Sequence, residues 1–285
     1  MAQSMDKNGS ATLSTRASIV LVLPVMCLLL VFFAYPLVEL LRQSFYAPQL
    51  SLANYVQALT NELYVGILLR TLWFAAVVTV LTLLLGYPVA LTMSRLSGAM
   101  AVVVGACVMV PLWTSVLVRA YAWIVLLQRN GLVNGLLTGM GLTDHPLQLI
   151  YTQGTVILAT VHVLLPFMIL SVYGVLRTIP VDLSRAAASL GARPFAIFRH
   201  VVLPLSLPGV YSGVVMVFII SLGFYITPAL LGGPRSLLMS TLIGQQTTET
   251  LNWGLAGALS VTLLVITLVV VGIFGRLIRL ESKGG

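Results

Sequence analysis

Long apolar runs separated by short polar stretches dominate the chain, and their lengths predict its elements. A helix needs roughly 20 apolar residues to cross the hydrocarbon core of a bilayer. Residues 19–40, 66–94, 99–118, 155–176, 208–231 and 254–280 answer to that length. The expected fold class is an all-α integral membrane protein with six transmembrane helices, filling residues 19–280. Residues 1–18 open small and polar and are expected to be a disordered cytoplasmic segment, with 281–285 as a short cytoplasmic tail. The first run exceeds the apolar region of a signal peptide, and no small-residue cleavage site follows Tyr35 and Pro36. It is expected to remain as an anchor.

Composition agrees with a membrane class. Hydrophobic residues make up 59% of the 285 positions and charged ones 8%, too little charge to cover a soluble globule. Cys27 and Cys107 lie inside apolar runs and read as small buried hydrophobes, not as a disulfide or metal ligands. The net charge of +8 comes from bases scattered between hydrophobic segments, without the stripe that nucleic acid needs. Those bases set orientation instead. With a cytoplasmic N-terminus, the outer segments carry Arg42, Arg70, Arg119, Arg129 and Arg235, and the inner segments carry the other ten of 15. Both termini and the loop 179–209 are thereby placed in the cytoplasm. Tyr46, Tyr55, Tyr64, Trp73, Tyr121, Trp123 and Trp253 flank the outer loops, as an interfacial belt or as contacts for a docked partner.

Two polar stretches carry more than connection. Residues 119–154 hold Asn130-Gly131, Asn134-Gly135 and Asp144-His145-Pro146, turn signals that predict re-entrant or surface helices. In residues 179–209, Pro180 and Asp182 suit the first turn of a short helix, and Gly191 is placed to end it in a left-handed conformation. Pro194 suits the start of a second helix that Pro204 ends, with Pro208-Gly209 leading into the fifth span. The pattern predicts two short helices at an angle beneath the membrane. Ala186, Ala187 and Ala188 leave the first open to close approach by another backbone, whereas Phe195, Ile197, Phe198, Val201 and Val202 give the second an apolar side. Amphipathic interfacial helices of this kind also occur as plain connectors.

The run Arg185-Ala186-Ala187-Ala188-Ser189-Leu190-Gly191-Ala192, followed by Val202-Leu203-Pro204, resembles the EAA signature of permease subunits in bacterial type I ABC importers. The resemblance covers nearly the whole chain. Pro111-Leu112-Trp113-Thr114-Ser115, Arg119-Ala120-Tyr121-Ala122-Trp123 and the stretch from Ser221 to Gly233 are similar to the permeases of spermidine and putrescine importers. The resemblance implies that this loop holds a coupling helix docking on a cytoplasmic ATPase, with Asp182, Arg185, Ala186, Ala187, Gly191, Leu203 and Pro204 as coupling residues. Arg185 stands where the family has the glutamate of the signature, so any ion pair made there is absent or sign-reversed. The implied partners are two copies of an ABC ATPase, a second, homologous permease and a periplasmic binding protein, in the bacterial inner membrane. The chain itself is expected to be no enzyme and to hold no cofactor, with ATP and magnesium bound by the ATPases. Its only lysines, Lys7 and Lys283, precede Asn8 and Gly284, so no phosphate-binding Gly-Lys-Ser/Thr loop is present.

Substrate-pathway candidates are Arg119, His162, Tyr225 and Thr227. Ionisable groups within spans are functional candidates, and Arg119, His162, Arg70 and Glu39 qualify, although Arg70, Arg119 and Glu39 lie near span ends where side chains snorkel. Pro166 frees the carbonyl of His162, which leaves a kink role open beside a pathway role. Tyr225 and Thr227 sit in a stretch of small, hydroxyl and aromatic groups around Pro228, which also suits plain helix packing. The outer segments hold Glu39, Glu62, Asp144 and Glu249 against five arginines, so no acidic funnel selects a polycation. A polyamine cargo rests on the resemblance, with an opine- or amino-acid-like solute as the alternative. A stand-alone channel or secondary carrier would call for inverted repeats and discontinuous helices, and a membrane enzyme for clustered His, Asp or Cys.

Overall fold

A computed structural model describes residues 15–45 and 49–281, and the regular elements among them are helices. Helix α1 (Thr15–Leu29) runs through a π-helical turn (Leu30–Ala34) into α2 (Tyr35–Ser44). A short α3 (Ala53–Thr60) leads to α4 (Glu62–Arg95), whose start is capped by Asn61 Oδ1 accepting from the Leu63 N–H at 2.9 Å. Then come α5 (Gly98–Trp113), α6 (Val116–Leu127), α7 (Leu132–Gly139) and α8 (Gln153–Leu176). The loop helix α9 (Val181–Ser189) precedes α10 (Pro194–Ile197), a second π-helical turn (Phe198–Val202) and α11 (Leu203–Leu222). Helices α12 (Ile226–Leu231), α13 (Met239–Thr248) and α14 (Trp253–Glu281) complete the order.

Five helical segments are long and apolar enough to cross a membrane, and α5 passes the same test together with α6 and α7, as a pair bent at the break between them. Three expectations are corrected in detail. The span expected at 99–118 breaks at Thr114 and Ser115, and the chain turns by 99° there. Pro111 has already removed one backbone donor, and Thr114 and Ser115 take extended conformations, so the hydrogen-bond ladder stops. The span expected at 208–231 instead runs from Pro194 to Leu222 and stops at Gly223, leaving α12 as a separate piece. Pro204 does not end a second loop helix: the π turn at Phe198–Val202 widens the helix just ahead of it, and the helix continues. The π turn at Leu30–Ala34 sits the same way ahead of Pro36, as expected where a ring would otherwise press on the carbonyl four residues back. Helix α1 also begins inside the segment expected to be disordered; residues 1–14 of that segment, Tyr46, and 282–285 of the tail lie outside the described residues.

Helices α4, α8 and α11 form the centre of the bundle. Phe74, Val78, Ala159, Met168, Val172 and Val217 are fully buried between them. Met168 of α8 is seated in two notches. A Cβ on Gly86 of α4 would lie 3.1 Å from its Cγ, and one on Gly213 of α11 would lie 2.6 Å from its Sδ. Small residues that admit close approach are the usual basis of helix packing in lipid, where burial of apolar surface gives no net drive. The Tyr87 hydroxyl and Ser206 Oγ, 2.8 Å apart, tie α4 to α11, and the hydroxyls of Thr79 and Thr82 bond back to carbonyls of their own helix. A second cluster of Ala58, Ile67, Leu68, Met239, Leu242, Leu255 and Leu259 joins α3, α4, α13 and α14. Thr71 Oγ1 accepts there from the Met239 N–H at 2.9 Å.

Directions follow from these contacts. Leu91 and Arg95 of α4, Leu176 of α8 and Val181 of α9 border one cavity, so α4 and α8 end beside α9 and α11 starts there. Tyr64 and Ile67, near the start of α4, belong with Leu255, near the start of α14, to one packed cluster, so α14 also runs towards the α9 end. The first span is covered little within the chain: Val22, Val25, Leu29 and Phe32 are all exposed on an apolar rod. Cys27 and Cys107 are exposed as well, so the expectation of buried cysteines is corrected. They sit on apolar helix surface, where a thiol is as lipid-compatible as in a core.

The notch on α11 is testable. Gly213→Val should lower stability by about 1–3 kcal/mol, because fully buried Met168 has no room to swing away. Gly174→Val on α8, where a Cβ meets nothing within 4 Å, should leave the thermal midpoint in detergent unchanged. A Gly213→Val protein melting with the wild type would refute the notch.

Candidate functional site

Two regions depart from plain helix packing, one at each end of the bundle. At the first, α9 begins after Pro180 with Asp182 in its first turn. Its C-terminus is closed by a paired cap: the Ala192 N–H donates to Ala187 O at 3.1 Å and the Gly191 N–H to Ala188 O at 2.9 Å. That geometry requires Gly191 at φ +80°, a conformation costly to any residue with a Cβ. No residue of α9 is buried, and Leu190 is 89% exposed. Arg185 Nη1 donates to Asp182 Oδ1 at 3.3 Å, a solvent-open pair on one helix face that contributes little to stability.

Helix α9 touches the chain mainly through α10 and the π turn beside it. A cavity of about 400 Å³, lined by Ser94, Arg95, Ile179, Ser184 and Ile197, separates it from the ends of α4 and α8. The mount is different in kind. Pro194–Leu222 is one continuous helix of 29 residues, so Leu203, half-buried, and Pro204, exposed, lie within the rod that carries α9. The structure thus gathers Asp182, Arg185, Ala186, Ala187 and Gly191 on one exposed helix and its cap, and sets Leu203 and Pro204 on its support.

At the far end, the broken helices α6 and α12 pack on each other and on α8. Trp123 Nε1 donates to His162 Nδ1 at 3.4 Å, with the two rings edge-to-face at 5.8 Å. Arg119 lies one turn before Trp123, and its Nε and Nη1 are buried without a hydrogen-bond partner. Arg119 and His162 therefore belong to one cluster joined through Trp123, while α8 passes Pro166 without a break. Thr227 is buried at 1% exposure with its hydroxyl unpartnered, and it borders none of the cavities described here.

Tyr225 is 46% exposed and stands between two cavities. One, of about 550 Å³, is bordered by Gly232, Gly233, Pro234, Thr241, Gln245 and Glu249. The other, of about 620 Å³, is bordered by α11, α13 and α14, with hydroxyls from Ser240, Thr247, Thr248, Ser260 and Thr267. The ring lies on the backbone of α13, where a Cβ at Gly244 would come within 2.6 Å of Cε2. Sequence reading passed over α13 because its apolar run is short. The polar residues Thr241, Gln245 and Glu249 recur at helical spacing, and that period was the available signal.

An exposed, rigidly mounted helix at one end, and broken helices around polar cavities at the other, define a polytopic membrane permease. Residues 82–280 match the family described as the inner membrane component of binding-protein-dependent transport systems, and the chain belongs to that family. It is 33% identical over 240 residues to the spermidine/putrescine transport system permease protein PotB of Haemophilus influenzae, covering 84% of each chain. It is 37% identical over 246 residues to the inner membrane ABC transporter permease protein YdcU of Escherichia coli, covering 78% of this chain and 77% of that one. The fold is shared with a chain of a bacterial alginate ABC transporter bound to its periplasmic protein, at a TM-score of 0.76 and 20% identity over 93% of this chain and 95% of the other. The chain is a multi-pass inner-membrane permease subunit of an ABC importer and not itself an enzyme. Discontinuous helices, the mark sought for a stand-alone carrier, here belong to a permease that works with a binding protein.

The cap on α9 gives a direct check. Gly191→Val should lose the left-handed closure and raise amide exchange across residues 181–192, whereas Gly191→Asn, tolerated at positive φ, should leave most of that protection. Equal exchange in the two variants would count against the cap.

Proposed function

We propose that this chain forms half of the translocation pathway of an ATP-driven importer for a small nitrogenous solute, a polyamine such as putrescine or spermidine. The carrying observation is α9, an exposed helix standing on a single rod that continues into the centre of the bundle. A helix mounted in this way moves with its support, so force applied at Ala186 and Ala187 reaches α11 and, through the notches around Met168, α8 and α4. The motor would be a pair of cytoplasmic ATPases that hold ATP and magnesium and dock on this chain and on a second, homologous permease. ATP then favours one global state over the other, and hydrolysis resets it. A periplasmic binding protein would deliver cargo at the far end. The α9 end, and with it both termini, is cytoplasmic on this reading, as the excess of bases at that end supports.

Arg185 gives the docking surface an unusual charge. In place of an outward carboxylate, α9 offers a guanidinium turned back on Asp182 within its own face, so the ATPase groove is expected to contact the alanines and Leu190 more than an ion pair. The polyamine cargo is supported by PotB, similar across most of both chains. A carboxylate-bearing amine, opine- or amino-acid-like, is the second reading, favoured by the unpartnered donors of Arg119.

Ala186→Trp places bulk on an exposed position, so it should leave the thermal midpoint unchanged while abolishing co-purification of the ATPases and at least about tenfold of cargo-stimulated ATP hydrolysis. Retained association and transport would sink the coupling assignment. Thermal-shift screening of the cognate binding protein against putrescine, spermidine, amino acids and opines decides the cargo.

A further inference from the structure

We infer that Tyr225, Gln245 and Glu249 form a receiving site for a primary ammonium group at the far mouth of the pathway. The inference rests on the nitrogenous-solute reading and would give it named residues. Gln245 on α13 and Glu249 at its C-cap lie one helical turn apart, and both border the same cavity of about 550 Å³ as Tyr225. Among the described lining residues, Glu249 is the only carboxylate bordering this cavity or the adjoining hydroxyl-lined groove, and Arg235 stands in the chain between the lining residues Pro234 and Ser236. Arg70 of α4 donates from Nη1 to Leu237 O at 3.5 Å, so at the cavity's rim this base is engaged by the backbone of a lining residue.

An ammonium entering the cavity meets three complementary groups. The carboxylate of Glu249 supplies charge, the amide oxygen of Gln245 accepts a hydrogen bond, and the face of Tyr225 supplies the negative lobe of a ring quadrupole. Gly244 fixes the third group. With any larger residue there, the ring could not lie against α13 where it separates the two cavities. Past the ring, the groove of about 620 Å³ carries no described charge but offers hydroxyl oxygens from Ser240, Thr247, Ser260 and Thr267. These accept from an ammonium without holding it as a carboxylate would. The ring is thus the divider between a charged vestibule and a neutral groove, and one flexible amine can occupy both at once.

The test is uptake by proteoliposomes holding the complete importer, supplied with saturating binding protein and radiolabelled putrescine or 4-aminobutyrate. Glu249→Gln and Tyr225→Leu should each lower the initial rate about threefold to tenfold, while Glu249→Asp and Tyr225→Phe should restore most of it. Glu62→Gln, a far-end carboxylate outside both cavities, serves as the control and should match the wild type. Full uptake in Glu249→Gln and Tyr225→Leu, or equal losses in Phe and Leu at 225 and in Asp and Gln at 249, would overturn the site. Wild-type importer that takes up neither amine would overturn the cargo reading itself, a result visible before any variant is measured.

Discussion

The seating of Met168 between Gly86 and Gly213 is the contact on which the rest of the molecule depends. In a bilayer, apolar side chains gain little by leaving lipid for protein, so helices stay together through close packing. A methionine, unbranched and polarizable, fills a two-sided notch more readily than a branched side chain would. The resulting trio of α4, α8 and α11 is rigid enough to hold helices that are not themselves complete spans. Both α6 and α12 pack on α8 and on each other, and α12, with the break before it, lies against protein and a polar cavity, where interrupted backbone is tolerated.

That rigidity also explains the use of proline. A helix that continues as one rod cannot end at every Pro, and the segment from Pro194 to Leu222 contains Pro204 and Pro208 as well as Pro194. The π turn before Pro204 resolves the conflict by opening the helix at one place, so the missing donor and the bulky ring are absorbed without a break. The breaks lie elsewhere, at Thr114-Ser115 and at Gly223-Phe224-Tyr225, the second beside two polar cavities. The chain is thus continuous on the α9 side and interrupted on the far side.

Much of this organisation was legible in the sequence, and the exceptions have physical causes. Spans are readable because hydrocarbon demands length and apolarity, and the helix at Gln153–Leu176 differs from the expected 155–176 by two residues. The α9 cap was readable because a left-handed terminus leaves glycine as its signature at Gly191. Pro204 misled, since a π turn has no sequence mark and a proline reads as a stop. Tyr225 was visible as an aromatic in a bendable stretch, but its role as a divider depends on Gly244, nineteen positions on, and proximity of that kind is a tertiary fact. Glu249 was hidden by arithmetic. Counted with all outer charges it is one acid among more arginines, whereas among the described residues lining its cavity it is the carboxylate.

The distinction between a net charge and a local field carries the last step. A permease that gathered many carboxylates along its pathway would bind a polycation well and release it badly, because each ion pair in a low-dielectric cavity must be broken for the cargo to advance. On the proposed function, high affinity belongs to the binding protein, which lets go when the complex changes state. The membrane subunit needs only enough attraction to bias entry. A single carboxylate with an aromatic face, followed by hydroxyls, supplies a field that decreases along the groove towards α11 and α14. On the proposed reading, the cavity that Glu249 borders is then the favourable point of entry for an ammonium, and movement of the complex, rather than a gradient of ever tighter sites, carries the solute onward.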